Sequence, residues 1–491
     1  MFLAPKAPLA PDLLAGRCKQ VREQLVHEGI YRAESEDGNT SWRVGTEPYW
    51  IRREEAVFLQ NLGGHLLSFY RSLNRLYFES LKGRAPAWVA AYLDAGKPDG
   101  VLHFGRMNRF KQDLPGVIRP DLLLTPTGMV ATELDAVPGG VGLTAALSRA
   151  YTDVGFSVVG GAAGMVEGFA RMIRFQSAEP QPHLAIVISE ESKDYRAEMS
   201  SLAKALDRSH FPSQVLTPSQ IGFTEEGLFF EAGQRRESID VLYRFFELFD
   251  LINIPKVELI FYAAKKKLVV LTPPPKPQLE EKLAFALFHH PVLRPYWRES
   301  LGEGTDQLLT GLFPSSWVLD PRTVPPHATI PGLTVASRPV QAFDELSRLS
   351  QKERHLVIKP SGFSELAWGS RGVSVGHDLS EGDWRAVIDR ALESFNKTPH
   401  ILQHFCKGRQ DRVSYYDFDT AQVRQLDGRT RLSPYYFVEG DRAILGGALA
   451  TICSLEKKLI HGMVDAVMVP CALESNGPAA ESLSAGPAAR V

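Results

Sequence analysis

The chain has 491 residues, 44% apolar and 23% charged, which is ample material for large cores and, by length, corresponds to about three domains. Its 55 Lys and Arg against 57 Asp and Glu leave a net charge of −2, so there is no electrostatic footprint for nucleic acid or an anionic membrane, and a polyanionic partner is not expected. Four scattered cysteines, Cys18, Cys406, Cys453 and Cys471, lack the spacing of a zinc site or a disulfide framework. No apolar run reaches the roughly 18 residues of a membrane span, and the first residues lack a signal peptide's apolar stretch, so a soluble cytoplasmic protein is expected.

A Pro/Ala-rich lead gives way to a helix near Leu13–His27 and to short strands at Ser41–Val44 and Pro48–Ile51. From Arg53 to Leu81, Phe58, Leu62, Leu66, Phe69, Leu73 and Leu76 recur every three or four residues, which predicts one long amphipathic helix with Arg71, Arg75 and Lys82 on its solvated face. A helical piece at Trp88–Leu93 and a basic loop carrying Arg106, Arg109 and Lys111 follow.

Ile118 to Gly140 reads as strand, tight turn around Thr127 and Gly128, and second strand. Alternation puts Glu133 and Asp135 on one face, a short hairpin folds Asp121 back beside them, and Arg119 shares the face of Asp121. Three converging carboxylates repel one another and lose hydration, an arrangement that makes sense if Mg²⁺ bridges them to phosphates. Arg119 would suit a transferring phosphoryl group. On spacing alone, a solvated hairpin edge accounts for the same acids.

Beyond the hairpin, Thr144–Val154 predicts a helix and Phe156–Gly164 a strand entering a glycine-rich turn. Gly160, Gly161 and Gly164 only mimic a dinucleotide fingerprint, because no acidic residue ends a following strand. His183–Ser189, a helix over Tyr195–Leu206 and Ser213–Thr217 imply a parallel, right-handed unit, with further strands at Glu226–Glu231 and Ile239–Tyr243. Arg244 and Glu247 end a strand at the edge where such sheets bind ligands; ligand contact and a structural ion pair are both open. The prolines of Leu268–Pro277 mark a rigid exit.

Gln278–Leu287 predicts a helix bearing Lys282, and residues 300–345 read as loop-rich. His355–Gly376 then delivers Lys359 to the end of an apolar strand, followed by a Gly/Ser loop with Ser361, Gly362, Gly369, Arg371 and Gly372 and by a return strand at Val373–Val375. Such a loop can lay N–H groups over phosphates while Lys359 neutralises charge and Arg371 clamps an oxygen; a solvated hairpin tip is the competing reading. His400–Phe405 is a further strand carrying Gln403, Arg431 opens a strand with its role undecided between substrate contact and a surface pair, and His461 reads as a packed histidine.

The pattern Arg119-x-Asp121, eleven residues, Glu133-x-Asp135 resembles the metal-binding hairpin of the circularly permuted ATP-grasp ligases, the group with glutathionylspermidine synthetase and eukaryotic glutathione synthetase. The strand-borne Lys359 with its glycine loop resembles their second motif. The family's last metal ligand is usually Asn, where this chain has Asp135.

The resemblance implies an α/β (α+β) fold, with a metal-binding hairpin segment at 101–155, a small α/β substrate domain at 156–272 and an ATP-grasp domain at 273–471; residues 1–100 read as mainly helical, and the Ser, Gly, Pro and Ala of 472–491 as a disordered tail. It implies Mg²⁺ on Asp121, Glu133 and Asp135, ATP on Lys282, Lys359, Ser361, Gly362, Gly369, Gly372 and Gln403, and catalytic roles for Arg119 and Arg371. The implied reaction joins a small-molecule carboxylate to an amine through an acyl phosphate, and a homodimer would match many relatives. A small-molecule kinase, or a nucleotide-binding protein without ligase activity, are the other classes this sequence admits.

Overall fold

The structure is a computed structural model that describes residues 11–31, 42–322, 325, 328–335, 337–457, 460 and 465–474, without the side chains of 11 and 368–370. The central hairpin forms where alternation and the Thr-Gly turn place it, from strands Val117–Thr125 and Gly128–Asp135, with Asp121 opposite Glu133 and Arg119 opposite Asp135. It belongs to an eight-stranded sheet whose other members come from both ends of the chain. Gln422–Glu439 runs antiparallel to Val117–Thr125, Arg442–Ser454 lies beside it, and Val467–Leu473 carries Arg43–Val44 and Tyr49–Ile51 in parallel.

Both faces of this sheet are covered, as two consecutive residues illustrate. The Tyr436 hydroxyl donates at 2.6 Å to the Leu59 carbonyl of the long helix Arg53–Leu81, which has the limits its apolar spacing predicts. Phe437 meets Phe169 of helix Gly164–Gln176 edge to face on the other side.

Four parallel strands, Leu184–Ile188, Ser213–Leu216, Val241–Phe245 and Val270–Thr272, form a second sheet, with helix Arg196–Arg208 joining the first two. Leu184–Ile188 is buried throughout, as a strand covered on both faces must be. The strand expected at Ile239–Tyr243 is divided between Arg235–Ile239 in a small antiparallel sheet and Val241–Phe245 in the parallel one. A third, antiparallel sheet contains Leu356–Pro360, His400–His404, Ser316–Val318 and Ser374–Val375.

Four expectations are corrected. Phe156–Gly164 is no strand beyond a bridge from Val158 to Ala472. Its Gly160, at φ +81°, lies against other backbone, and a Cβ there would come within 1.9 Å of the Gly446 carbonyl oxygen, so close approach accounts for the glycine. Residues 300–345 are loop-rich after Val318, as expected, but their first part holds helix Glu303–Leu312 and strand Ser316–Val318, and no proline falls inside either. The basic loop begins as helix Asp99–Arg106, where Arg106 pairs with Asp94. Gln278–Leu287 is broken into a turn, Pro277–Leu279, and helix Leu283–His289, with Lys282 at the cap between them. Among the described residues no helix is long and apolar enough to cross a membrane.

Candidate active site

Alternation and register gather Arg119, Asp121, Glu133 and Asp135 on one face of the hairpin. Asp121 is only 4% exposed. It takes Arg119 Nε at 3.2 Å and the Ser433 hydroxyl at 3.0 Å on Oδ1, and Arg431 Nη1 at 3.0 Å on Oδ2. Burial pushes its pKa up, but Arg119, Arg431 and the Ser433 hydroxyl overcome this and hold the carboxyl below its ordinary range. Arg119 also reaches Asp135 Oδ2 at 3.0 Å and donates to the Gly139 carbonyl at 3.1 Å. Burial raises the Asp135 pKa, and the charges of Glu133 and Asp121 add to this against Arg119.

Glu133 is engaged by Lys282, whose Nζ lies 2.5 Å from Oε1. Desolvation opposes its charge, and Lys282 keeps the pKa lowered all the same. Lys359 arrives from the third sheet, donating to the Thr132 carbonyl at 2.8 Å and to Gln403 Oε1 at 2.9 Å. Thr132 sits where the hairpin register shifts, between Ala131 and Glu133, and a bulge of this kind leaves a backbone group free for a side chain. Burial brings the Lys359 amine down to about 8, with Lys282 adding to the fall and Glu133 opposing it.

Four chain segments thus bring the cations Arg119, Lys282, Lys359 and Arg431 around three acids. Arg119 Nε and Arg431 Nε are buried without an aligned hydrogen-bond acceptor, so Arg119 Nε meets the Asp121 carboxylate as an ion pair and not through an aligned hydrogen bond. Among the described residues no three His, Cys, Asp or Glu side chains are grouped as metal ligands, because each hairpin acid is drawn to a protein cation. The donor set is still all carboxylate oxygen, which fits a hard ion that keeps water and phosphate oxygens beside one or two carboxylates.

Several expected contacts are used differently. The Ser361 hydroxyl and the Gly362 N–H both donate to Glu281, at 2.6 and 2.9 Å, because that buried carboxylate needs partners. Gln403 spends its amide on Lys359 and on the Ser316 hydroxyl, 3.1 Å from Nε2, so it orients the lysine and has no free edge for a base. Arg371 is exposed beyond the turn Glu365–Ser370, and among the described residues no ion pair or hydrogen bond joins it to the hairpin acids. Gly369 lies in that turn, with its surroundings outside the described residues. Gly372 packs against Pro360 and the Leu366 carbonyl.

Arg244 is fully buried in an ion pair with Glu280, and it also donates to the Phe246 carbonyl at 2.5 Å. His461 lies outside the described residues. Sequence reasoning left Arg431 open and passed over Ser433, although their alternation on one strand was a usable signal; it also passed over Glu281, beside Lys282.

No protein-family model and no curated protein matches the sequence. Among solved structures the chain is similar to a glutathione synthetase-like effector from Globodera pallida in its apo form, with a TM-score of 0.57 and 11% identity over 96% of this chain and 100% of that one. A protein assigned as a gamma-glutamylcysteine synthetase from Methylobacillus flagellatus aligns over 77% of this chain and 84% of its own at 12% identity, with a TM-score of only 0.36. The chain therefore has a mixed α/β fold similar to that of the glutathione synthetase-like effector.

Proposed function

We propose that the protein is an ATP-dependent carboxylate–amine ligase with a circularly permuted ATP-grasp fold, and that the cluster around the hairpin is its active site. The observation that carries this reading is the meeting of Asp121, Glu133 and Asp135 with Arg119, Lys282, Lys359 and Arg431 on one sheet face. The fold likeness to a glutathione synthetase-like effector supports it.

Asp121, Glu133 and Asp135 would hold Mg²⁺, which when bound neutralises charge on the phosphate oxygens. Lys282 and Lys359 grip the β- and γ-phosphates as point charges. Arg119 and Arg431 present planar donors to the transferring group. A substrate carboxylate oxygen attacks the γ-phosphorus, the bond to the bridging oxygen breaks and ADP leaves. The amine nitrogen of the second substrate then attacks the acyl carbon, the C–O bond to phosphate breaks, and the amine proton is lost to water. No protein nucleophile is required, because positioning and charge stabilisation carry such transfers.

The test is Mg²⁺-dependent ADP release by the full chain against paired panels of amino acids, short peptides and polyamines. Release that needs both a carboxylate and an amine, and that falls about 10²–10³-fold in Glu133→Ala, is expected, the size lost with one charge-stabilising group. A stable phosphorylated product formed without any amine would overturn the ligase reading in favour of a kinase.

A further inference from the structure

Three consecutive side chains leaving the turn Pro277–Leu279 go to three different parts of the molecule. Glu280 pairs with Arg244 of the parallel sheet and Lys282 with Glu133 of the hairpin. Glu281, between them, pairs with Lys97 at 2.7 Å, and both side chains are 0% exposed. The Glu281 carboxylate also holds the Ser361 hydroxyl on Oε2 and the Gly362 N–H on Oε1. These are the first two residues after the strand that carries Lys359.

Two further contacts fasten the same place. Lys97 Nζ lies 5.6 Å from the centre of the Phe363 ring. Gly362 is pressed against the Glu280 backbone so closely that a Cβ would come within 1.9 Å of the Glu280 carbonyl oxygen. The root of the loop, residues 361–363, is therefore bound to one ion pair and to the backbone beside it.

A buried ion pair is weak evidence of a stabilising role, since such pairs are often matched or bettered by apolar residues of similar volume. What apolar residues cannot supply is an acceptor for two donors at the start of a loop. We propose that Glu281, held by Lys97, is a positioning residue: it anchors the root of the 361–372 loop and so sets where the rest of that loop stands relative to Lys359 and Lys282. Ser361 and Gly362 serve as the anchor, and the residues beyond them are left to face the nucleotide. The consequence for ATP rests on the ligase reading above; the anchoring itself does not.

The experiment is hydrogen–deuterium exchange on the full chain, read over 361–372, together with KM for ATP and kcat. Lys97→Met/Glu281→Leu removes the pair and the acceptor while leaving no unpaired charge, and Ser361→Ala removes one anchor with the charges intact. Lys97→Met/Glu281→Gln removes the charges and keeps an acceptor oxygen. Exchange over the loop is expected to rise about tenfold or more in the Leu double variant and in Ser361→Ala, the fold-change of losing a hydrogen bond to a charged acceptor. The Gln double variant should recover most of the protection, and KM for ATP should rise more than kcat falls wherever protection is lost.

Loop exchange like that of the wild type in the Leu double variant would overturn the proposal. If that variant does not fold, unchanged exchange in Ser361→Ala overturns it equally. Raised loop exchange in a protein whose wild type neither binds nor hydrolyses ATP would uphold the anchor and remove the ligase reading instead.

Discussion

Asp121→Ala is expected to lower ATP-dependent turnover about 10²–10³-fold per folded molecule and to cost about 3–5 kcal/mol of stability. Both effects have the same source. Asp121 is buried, pairs with Arg119 and Arg431 and accepts from Ser433, so its loss removes the one carboxylate that two guanidinium groups share. Arg119 keeps Asp135 and the Gly139 carbonyl, and Arg431 keeps the Ile460 carbonyl at 3.0 Å, so both groups stay in place while Arg431 loses the carboxylate that pairs with it. Asp121→Asn keeps an acceptor oxygen for Ser433 and should fall between the wild type and Ala. Urea unfolding gives the stability, and ADP release at a concentration where every variant is folded gives the turnover. A loss of stability without loss of turnover would make Asp121 structural only.

The second large effect is expected at Arg244. Arg244→Met strands the Glu280 carboxylate, and breaking a buried pair from one side costs about 3–5 kcal/mol. Arg244 has no exposed surface and three acceptors: Glu280 and the carbonyls of Phe246 and Pro273. Burial already pushes the Glu280 pKa up, with Arg244 pulling it back. Without Arg244 the folded-state pKa rises further above the unfolded value. The folded state then binds a proton that the unfolded state releases, so stability is present at acid pH and lost as pH rises through the folded pKa. The variant should therefore lie nearest the wild type at acid pH and fall away toward neutrality in unfolding midpoints taken across that range. Arg244→Met/Glu280→Gln, which removes the charge, should regain much of the loss and flatten the pH dependence.

These two sites mark where the sequence is legible and where it stops being so. The helix Arg53–Leu81 and the hairpin could be read directly, because apolar spacing and a Thr-Gly turn are local and their periods differ. The convergence of Asp121, Glu133 and Asp135 followed from the same alternation. What the acids would touch did not follow. Arg431 lies more than 300 residues from Asp121 in the chain, and only the pairing of Gln422–Glu439 with Val117–Thr125 brings them together.

The glycine loop is the instructive case. Its composition promised donors, and donors are there at Ser361 and Gly362, but composition is silent about the acceptor, and the acceptor is Glu281. Gln403, which the resemblance assigns to ATP, holds Lys359 through its side-chain oxygen, a contact that its place on a strand does not announce. Phe156–Gly164 had a strand's apolar content, yet its Gly160 and Gly164 answer to the close approach of Gly446, a contact no local pattern records.

ATP binding at the hairpin is tested by calorimetric titration of the full chain with a non-hydrolysable ATP analogue, with and without Mg²⁺, for the wild type and Lys359→Met. Mg²⁺-dependent binding that weakens about tenfold or more in the variant is the predicted result, the scale of one lost hydrogen bond to a charged group. Absence of binding, or binding that Lys359→Met and Mg²⁺ leave unchanged, would contradict the account and return the hairpin acids to a structural role.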